Sequence, residues 1–245
     1  MREPAGVTRV RADNPSYLTL DGTNTYVVGG WVVDPGPLLE GHLAAVKQAA
    51  GELAGVVLTH EHLDHSEASE AFGVAVHRPG EGEQAGPFTA LATPGHSPDS
   101  VCLLLDAKDS ASLPNPSRNR ICFTGDTVLG EGSVFIAPGE GSLSAYLDSL
   151  RRLRQLDCEV MCPGHGPYVW DPAAKLDEYL EHRLERERLL VVALDEGARA
   201  EDELLDRVWP DAPEHLRPAA ALTLRAHMEK LAEEGRLPPN AKLAP

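Results

Sequence analysis

The chain is short of cysteine, short of cations and free of long apolar runs, and each shortage closes off a class of protein. Its 245 residues include four cysteines, Cys102, Cys122, Cys158 and Cys162. They make no CxxC pair and no regular framework, which excludes a disulfide scaffold and fits buried, reduced thiols in a cytoplasm. Only 22 basic residues face 38 acidic ones, for a formal charge of −16. Such a surface repels polyanions, so DNA is not expected as a partner. No run has the length of a membrane-crossing helix, and a membrane is not expected either. Met1-Arg2-Glu3-Pro4 lacks an apolar signal region, and Lys242-Leu243-Ala244-Pro245 carries no lipid-attachment motif. No GxSxG elbow and no internal repeat occur.

The chemistry is concentrated in Thr59-His60-Glu61-His62-Leu63-Asp64-His65. Four metal-ligand side chains, His60, His62, Asp64 and His65, fall within six positions. The apolar run Val56-Val57-Leu58 ahead of them reads as a buried strand. A strand that ends in clustered imidazoles and a carboxylate is suited to hold zinc or iron.

Three further candidates follow other predicted strands. They are His96 after Thr93-Pro94-Gly95, Asp126 after Thr124-Gly125, and His165 between Gly164 and Gly166. Glycine beside each lets the backbone turn sharply and approach closely. The total is five histidines and two aspartates. One tetrahedral ion needs about four ligands. Seven, with one carboxylate shared, suit two divalent ions a few ångströms apart.

Around these residues the pattern predicts strands over 7 to 35, with a Gly29-Gly30 hairpin, and a helix from His42 to Ala50. A further helix is expected from Ser66. Val101 to Leu105 reads as a strand buried on both faces. Residues 106 to 120 read as an exposed hairpin loop whose tip, with Arg118 and Arg120, lies far from the metal. The Gly-rich 130 to 142 segment is a candidate cleft wall, and a helix carrying Tyr146, Leu147, Leu150 and Leu153 follows. Asp171-Pro172 marks the expected boundary between a catalytic domain, 1–171, and a C-terminal domain, 172–245. In the latter, helices over 173–194, 201–208 and 218–234 are expected to close on a small hairpin, a winged-helix-like arrangement. That part has 11 basic and 16 acidic residues, so a role in shaping the cleft is favoured over reading nucleic acid.

The ordered set His60-x-His62-x-Asp64-His65, Thr93-Pro94-Gly95-His96, Thr124-Gly125-Asp126 and Pro163-Gly164-His165-Gly166 resembles the metallo-β-lactamase-fold hydrolases. It is similar to the variant with a bridging Asp, as in hydroxyacylglutathione hydrolases. Asn14-Pro15, Gly22-Thr23-Asn24-Thr25-Tyr26 and Gly125-Asp126-Thr127-Val128-Leu129-Gly130 look most like the β-lactamase-like protein 2 subgroup. That subgroup also carries a winged-helix-like C-terminal domain. The resemblance implies an α+β fold, a four-layer αββα sandwich with two metals at one edge. By motif position, His60, His62 and His96 would hold the first ion; Asp64, His65 and His165 would hold the second; Asp126 would bridge. Asp34 matches an early acidic motif and is either an orienting residue for the metal loop or a plain Asp-Pro turn.

The activity expected is hydrolysis of an ester, thioester or related bond in a small molecule. Two divalent ions, zinc with iron or manganese as alternatives, would make hydroxide available between them. Asp64 would bind metal and orient that nucleophile. The rival readings are an endonuclease on single-stranded RNA and a non-catalytic binding protein. β-Lactamase activity is not expected, since no Cys ligand stands at the second metal position. A homodimer stays open. Of the remaining histidines, His77 is assigned to a surface or hydrogen-bonded role, and His42, His182, His215 and His227 to the surface. Asn24, Thr25 and Tyr26 are read as strand residues, with cleft lining as the alternative.

Overall fold

The structure is a computed structural model, described for residues 2–106 and 120–241. Two five-stranded sheets form its centre. The first contains β1 (Thr8–Arg11), β2 (Asn24–Val28), β3 (Trp31–Val33), β4 (Gly55–Val57) and β5 (Val76–His77), in that spatial order. Its first two pairings are antiparallel; β3–β4 and β4–β5 are parallel. α1 (Glu40–Ala50) is the crossover between β3 and β4. The second sheet runs in the order β10 (Val160–Pro163), β9 (Arg120–Gly125), β8 (Val101–Asp106), β7 (Phe88–Ala92), β6 (Gln84–Ala85). All its pairings are antiparallel except the parallel β9–β10 pair.

The period-two alternation of the strands sorts the core into layers. Tyr26, Val33 and Val57 face Phe88, Leu103, Ile121 and Phe123 across the space between the sheets. The alternate residues Val27, Val32 and Val56 turn outward and bury Val46 of α1 and Phe72. On the other sheet Cys102, Cys122 and Met161 turn outward against Tyr146, Leu147, Leu150 and Leu153 of α3 (Leu143–Arg154). The result is an αββα sandwich. Cys102 and Leu103 are both 0 % exposed, as a strand buried on two faces requires. All four cysteines are free and buried.

α4 (Pro172–Asp195) starts where the chain turns helical. Asp171 caps it by accepting from Ala174 N at 3.1 Å, with Pro172 in the first turn. Its first half packs Leu176 and Tyr179 into the α3 layer. Its second half packs Leu190, Ala193 and Leu194 with α5 (Glu201–Val208) and α6 (Arg217–Glu233) in a separate apolar cluster. No strand follows α6 among the described residues. Residues 235–241 run as turns instead of the expected hairpin, and Pro238 and Pro239 have no N–H to give a ladder.

The helix expected from Ser66 begins earlier and is shorter. A single turn, α2 (Leu63–Ser66), is followed by a 3₁₀ turn at Ser69–Phe72 that ends at Gly73. The tip of the 106–120 loop, with Arg118, lies outside the described residues. Arg120 opens β9 in an ion pair with Asp106 at 2.7 Å, at the end of that strand opposite Asp126. No helix among the described residues is long and apolar enough to cross a membrane.

Candidate metal centre

The topology brings five strand ends to one rim. β3 and β4 are parallel, so Asp34 and the His60 loop emerge together. β9 and β10 are parallel, so Asp126 and His165 do the same. β7 and β9 each pair antiparallel with β8, which puts His96 at that rim too. All seven residues singled out by spacing meet there.

They form two adjacent groups. His60, His62, His96 and Asp126 offer ligand atoms within 4.8 Å of one another, and so do Asp64, His65 and His165. In the second group His65 Nε2 lies 3.3 Å from His165 Nε2 and 3.4 Å from Asp64 Oδ2. Asp126 Oδ1 is 3.3 Å from both ring nitrogens. Asp126 Oδ2 faces the first group, 3.7 Å from His96 Nε2. Two atoms bound tetrahedrally to one ion at about 2.0 to 2.1 Å lie roughly 3.3 Å apart. The spacing of the second group is that of a coordination polyhedron's edges. The buried atoms His60 Nε2 and Asp126 Oδ1 have no hydrogen-bond partner, although buried polar atoms are ordinarily paired. The donor set therefore fits two divalent ions, with Asp126 facing both.

A layer behind the rim fixes the rings. Asp34 accepts from Thr59 N and from Thr59 Oγ1, both at 2.7 Å, and pairs with His65 Nδ1 at 2.9 Å. Thr59 Oγ1, having given its hydrogen to Asp34, accepts from His60 Nδ1 at 3.0 Å. Each ring is thus held by one nitrogen and presents the other to the rim. Asp34, His60 and His65 also lie within ligand distance of one another, but both Asp34 oxygens are occupied. Asp34 is an orienting residue and not a plain turn.

Thr23, which spacing did not single out, donates from Oγ1 to Asp64 Oδ2 at 3.1 Å. Asn24 and Tyr26 are strand residues that hold the His165 loop. Asn24 Nδ2 donates to Pro163 O at 3.0 Å and Gly166 O at 2.9 Å, and Tyr26 OH donates to Pro163 O at 2.8 Å. At Gly164 a Cβ would meet Asp126 Oδ1 at 2.6 Å and His65 Cε1 at 2.5 Å. Only glycine lets this backbone pass.

Charge follows geometry. Burial works to raise the Asp126 and Asp64 pKa values, but the facing His165 and His65 hold both carboxyls well below the usual range. Burial works to lower His165, yet Asp126 and Asp64 push it up to about 9; His65 is raised in the same way by Asp126 and Asp34. Burial, with neighbouring rings, lowers His60 and His96. The two carboxylates thus favour positive charge at the rim, and a bound cation can take the place of those protons.

The rim opens into a cavity of about 760 Å³. One wall is the 16–20 loop, with Tyr17 and Leu18 exposed at its mouth. Another comprises residues of the 129–140 stretch, as expected of that Gly-rich segment. The far wall comes from α4, α5's C-terminal end and α6, including His182, Arg183, Trp209 and Thr223. Three surface assignments are corrected here. His182 is partly buried in that wall, where its Nε2 accepts from Arg186 Nε at 3.3 Å. His42 is 6 % exposed and bonds Thr25 Oγ1 at 2.9 Å, and His227 is 0 % exposed between α4 and α6. Helical position alone does not reveal which face a neighbouring element covers. His215 is exposed, and His77 packs on Trp31 with ring centres 5.2 Å apart.

A family model described as the metallo-beta-lactamase superfamily matches residues 117–165, and one described as the beta-lactamase associated winged helix domain matches 201–238. The chain belongs to the metallo-β-lactamase superfamily of hydrolases and carries a C-terminal winged-helix domain. It is similar to the beta-lactamase-like protein 2 homolog of Caenorhabditis elegans, at 28 % identity over 94 % of this chain and 85 % of that protein. An atrochrysone carboxyl ACP thioesterase of Aspergillus fumigatus is 28 % identical over 84 % of this chain and 74 % of that protein. A β-lactamase domain protein from Burkholderia ambifaria shares the fold with a TM-score of 0.78, at 17 % identity over 96 % of this chain and 88 % of that one.

Proposed function

We propose that the protein is a dinuclear-metal hydrolase of a small ester or thioester. The observation that carries this reading is the pair of ligand groups with Asp126 facing both, opening on one cavity. His60, His62 and His96 would hold one ion, and Asp64, His65 and His165 the other. When bound, such ions supply a nucleophile near neutral pH and polarise a carbonyl. The protein's own part is to hold the rings in register through Asp34 and Thr59. Asp64, half-exposed to the cavity and steadied by Thr23, would orient the nucleophile. The mostly apolar walls exclude water and fit an acyl group. The thioesterase of Aspergillus fumigatus, similar over most of the chain, supports the acyl reading. Zinc fits the His-rich donor set, with iron or manganese as alternatives. The four buried thiols support a cytoplasmic site of action.

Metal analysis with an assay panel of thioesters, esters and labelled single-stranded RNA tests the proposal. About two ions per chain and thioester or ester turnover that barely responds to salt are expected. RNA cleavage falling steeply with salt would favour the nuclease reading instead. Asp64→Asn should lower turnover by at least about a hundredfold with little change in thermal stability; unchanged turnover sinks the assignment.

A further inference from the structure

Arg183 sits midway along α4, 2 % exposed, and lines the same cavity as His62, Asp64 and Asp126. Its neighbours are matched. Arg186 pairs with Asp211 at 3.0 Å, and Lys230 and Arg236 share Glu187 at 2.8 and 2.7 Å. Arg183 alone of these four has no carboxylate within ion-pair distance among the described residues. Its Nη2 donates to Ser133 Oγ at 2.8 Å and to Val134 O, while its Nε has no acceptor at all. The Tyr146 ring, 5.5 Å away, offsets only part of the charge. A buried cation without a counter-ion is costly, and a guanidinium is the group best shaped to grip an anion's oxygens. The same cavity is also lined by the apolar Leu129, Val134, Ala219 and Ala220.

We infer that Arg183 is an anion-reading subsite. The substrate then has its scissile bond at the rim, an apolar stretch along the cavity, and a carboxylate or phosphate monoester at Arg183. This rests on the hydrolase reading above and adds a feature of the substrate. A purely structural role, strapping Ser133 and Val134 to α4, needs the hydrogen bonds of Arg183 but not its charge.

The test measures binding without turnover, by calorimetry on the metal-loaded protein. The probes are straight-chain dicarboxylates from adipate to sebacate, each set against the monocarboxylate of equal carbon count. The monocarboxylate reports one anion at the rim plus apolar contact; the difference isolates the second anion. At the length that spans the cavity, the dicarboxylate should bind about tenfold tighter or more. Arg183→Gln, which removes the charge and keeps a polar amide, should erase that difference, and Arg183→Lys should keep part of it. The same acids with a terminal phosphate ester in place of the second carboxylate tell the two anions apart. If neither series shows a difference at any length in the wild-type protein, the subsite is overturned, whether or not the variants fold. A difference that survives in Arg183→Gln overturns it equally. A clear difference in a protein that cleaves no ester or thioester would leave the subsite standing and remove the hydrolase reading.

Discussion

Asp34 adopts a φ of +49°, a left-handed conformation that costs a non-glycine residue roughly 1 kcal/mol or more. It does so while accepting two hydrogen bonds from Thr59 and pairing with His65. The bend aims one carboxylate at three groups of the metal loop at once. An amide in its place has one acceptor oxygen and must set its own N–H₂ against a donor. Asp34→Asn should therefore weaken metal binding by about tenfold to a hundredfold, measured by competition with a chromophoric chelator. Unchanged affinity would remove Asp34 from the orienting layer. This residue was legible in the sequence only as an alternative, since an Asp-Pro turn has the same letters. Thr23 was not legible at all. Its hydroxyl matters because β2 lies beside the His165 loop, with Thr23 bridged to His165, and no local pattern records that adjacency. The seven rim residues were legible because they follow apolar strands and sit beside glycines, both local signals.

At the scale of elements, α6 shows what helical periodicity hides. The helix was visible from its apolar spacing, but His227 on it was assigned to the surface. It packs against Trp209 and α4 with both ring nitrogens unpartnered. Burial, with Arg183, Lys230 and His182 nearby, lowers its pKa to about 3. Glu187 is 3.9 Å away but is committed to Lys230 and Arg236. In the unfolded chain the ring titrates near its ordinary value of about 6.5. Stability from the neutral ring is therefore complete above that value and falls as pH drops toward the folded-state pKa. Between about pH 7 and about pH 5 the loss is on the order of 2 kcal/mol. His227→Leu should flatten the pH dependence of urea unfolding by that amount over that range; an unchanged slope would show that His227 does not carry it. The stretch after α6 shows the reverse case. A hairpin was expected after α6, and the chain there has turn residues, but strand pairing depends on a partner that sequence does not specify.

For the whole molecule, two sheets converge on a rim of seven ionisable groups whose charges are mutually dependent. Bound ions would link both sheets through Asp126, so their removal should loosen the sandwich as a unit. Exhaustive chelation should lower the thermal midpoint by roughly 10 °C if the ions are held about a thousandfold above their dissociation constants. Re-addition of zinc should restore it, and a midpoint indifferent to chelator would argue that the rim folds without metal. The layered fold was legible because the short apolar runs of β2, β4 and β8 read as buried strands from local sequence alone. The cavity was not, because its far wall is assembled from stretches distant in sequence: His182, Arg183 and Arg186 of α4, Trp209 at the end of α5, and Ala219, Ala220 and Thr223 of α6.

α4 runs through both apolar clusters as one helix of 24 residues, about 36 Å long at 1.5 Å per residue. It acts as a ruler. Its front is clamped under the sandwich and its rear carries the helical cap, so the distance from rim to far wall is counted in residues. One residue inserted ahead of Arg183 would advance the cap by about 1.5 Å and swing it by about 100°, turning the cavity-lining face away. Whole turns would be needed to lengthen the cavity without losing its wall. Changes of substrate in proteins built this way should come from the side chains along the ruler, while its length stays fixed.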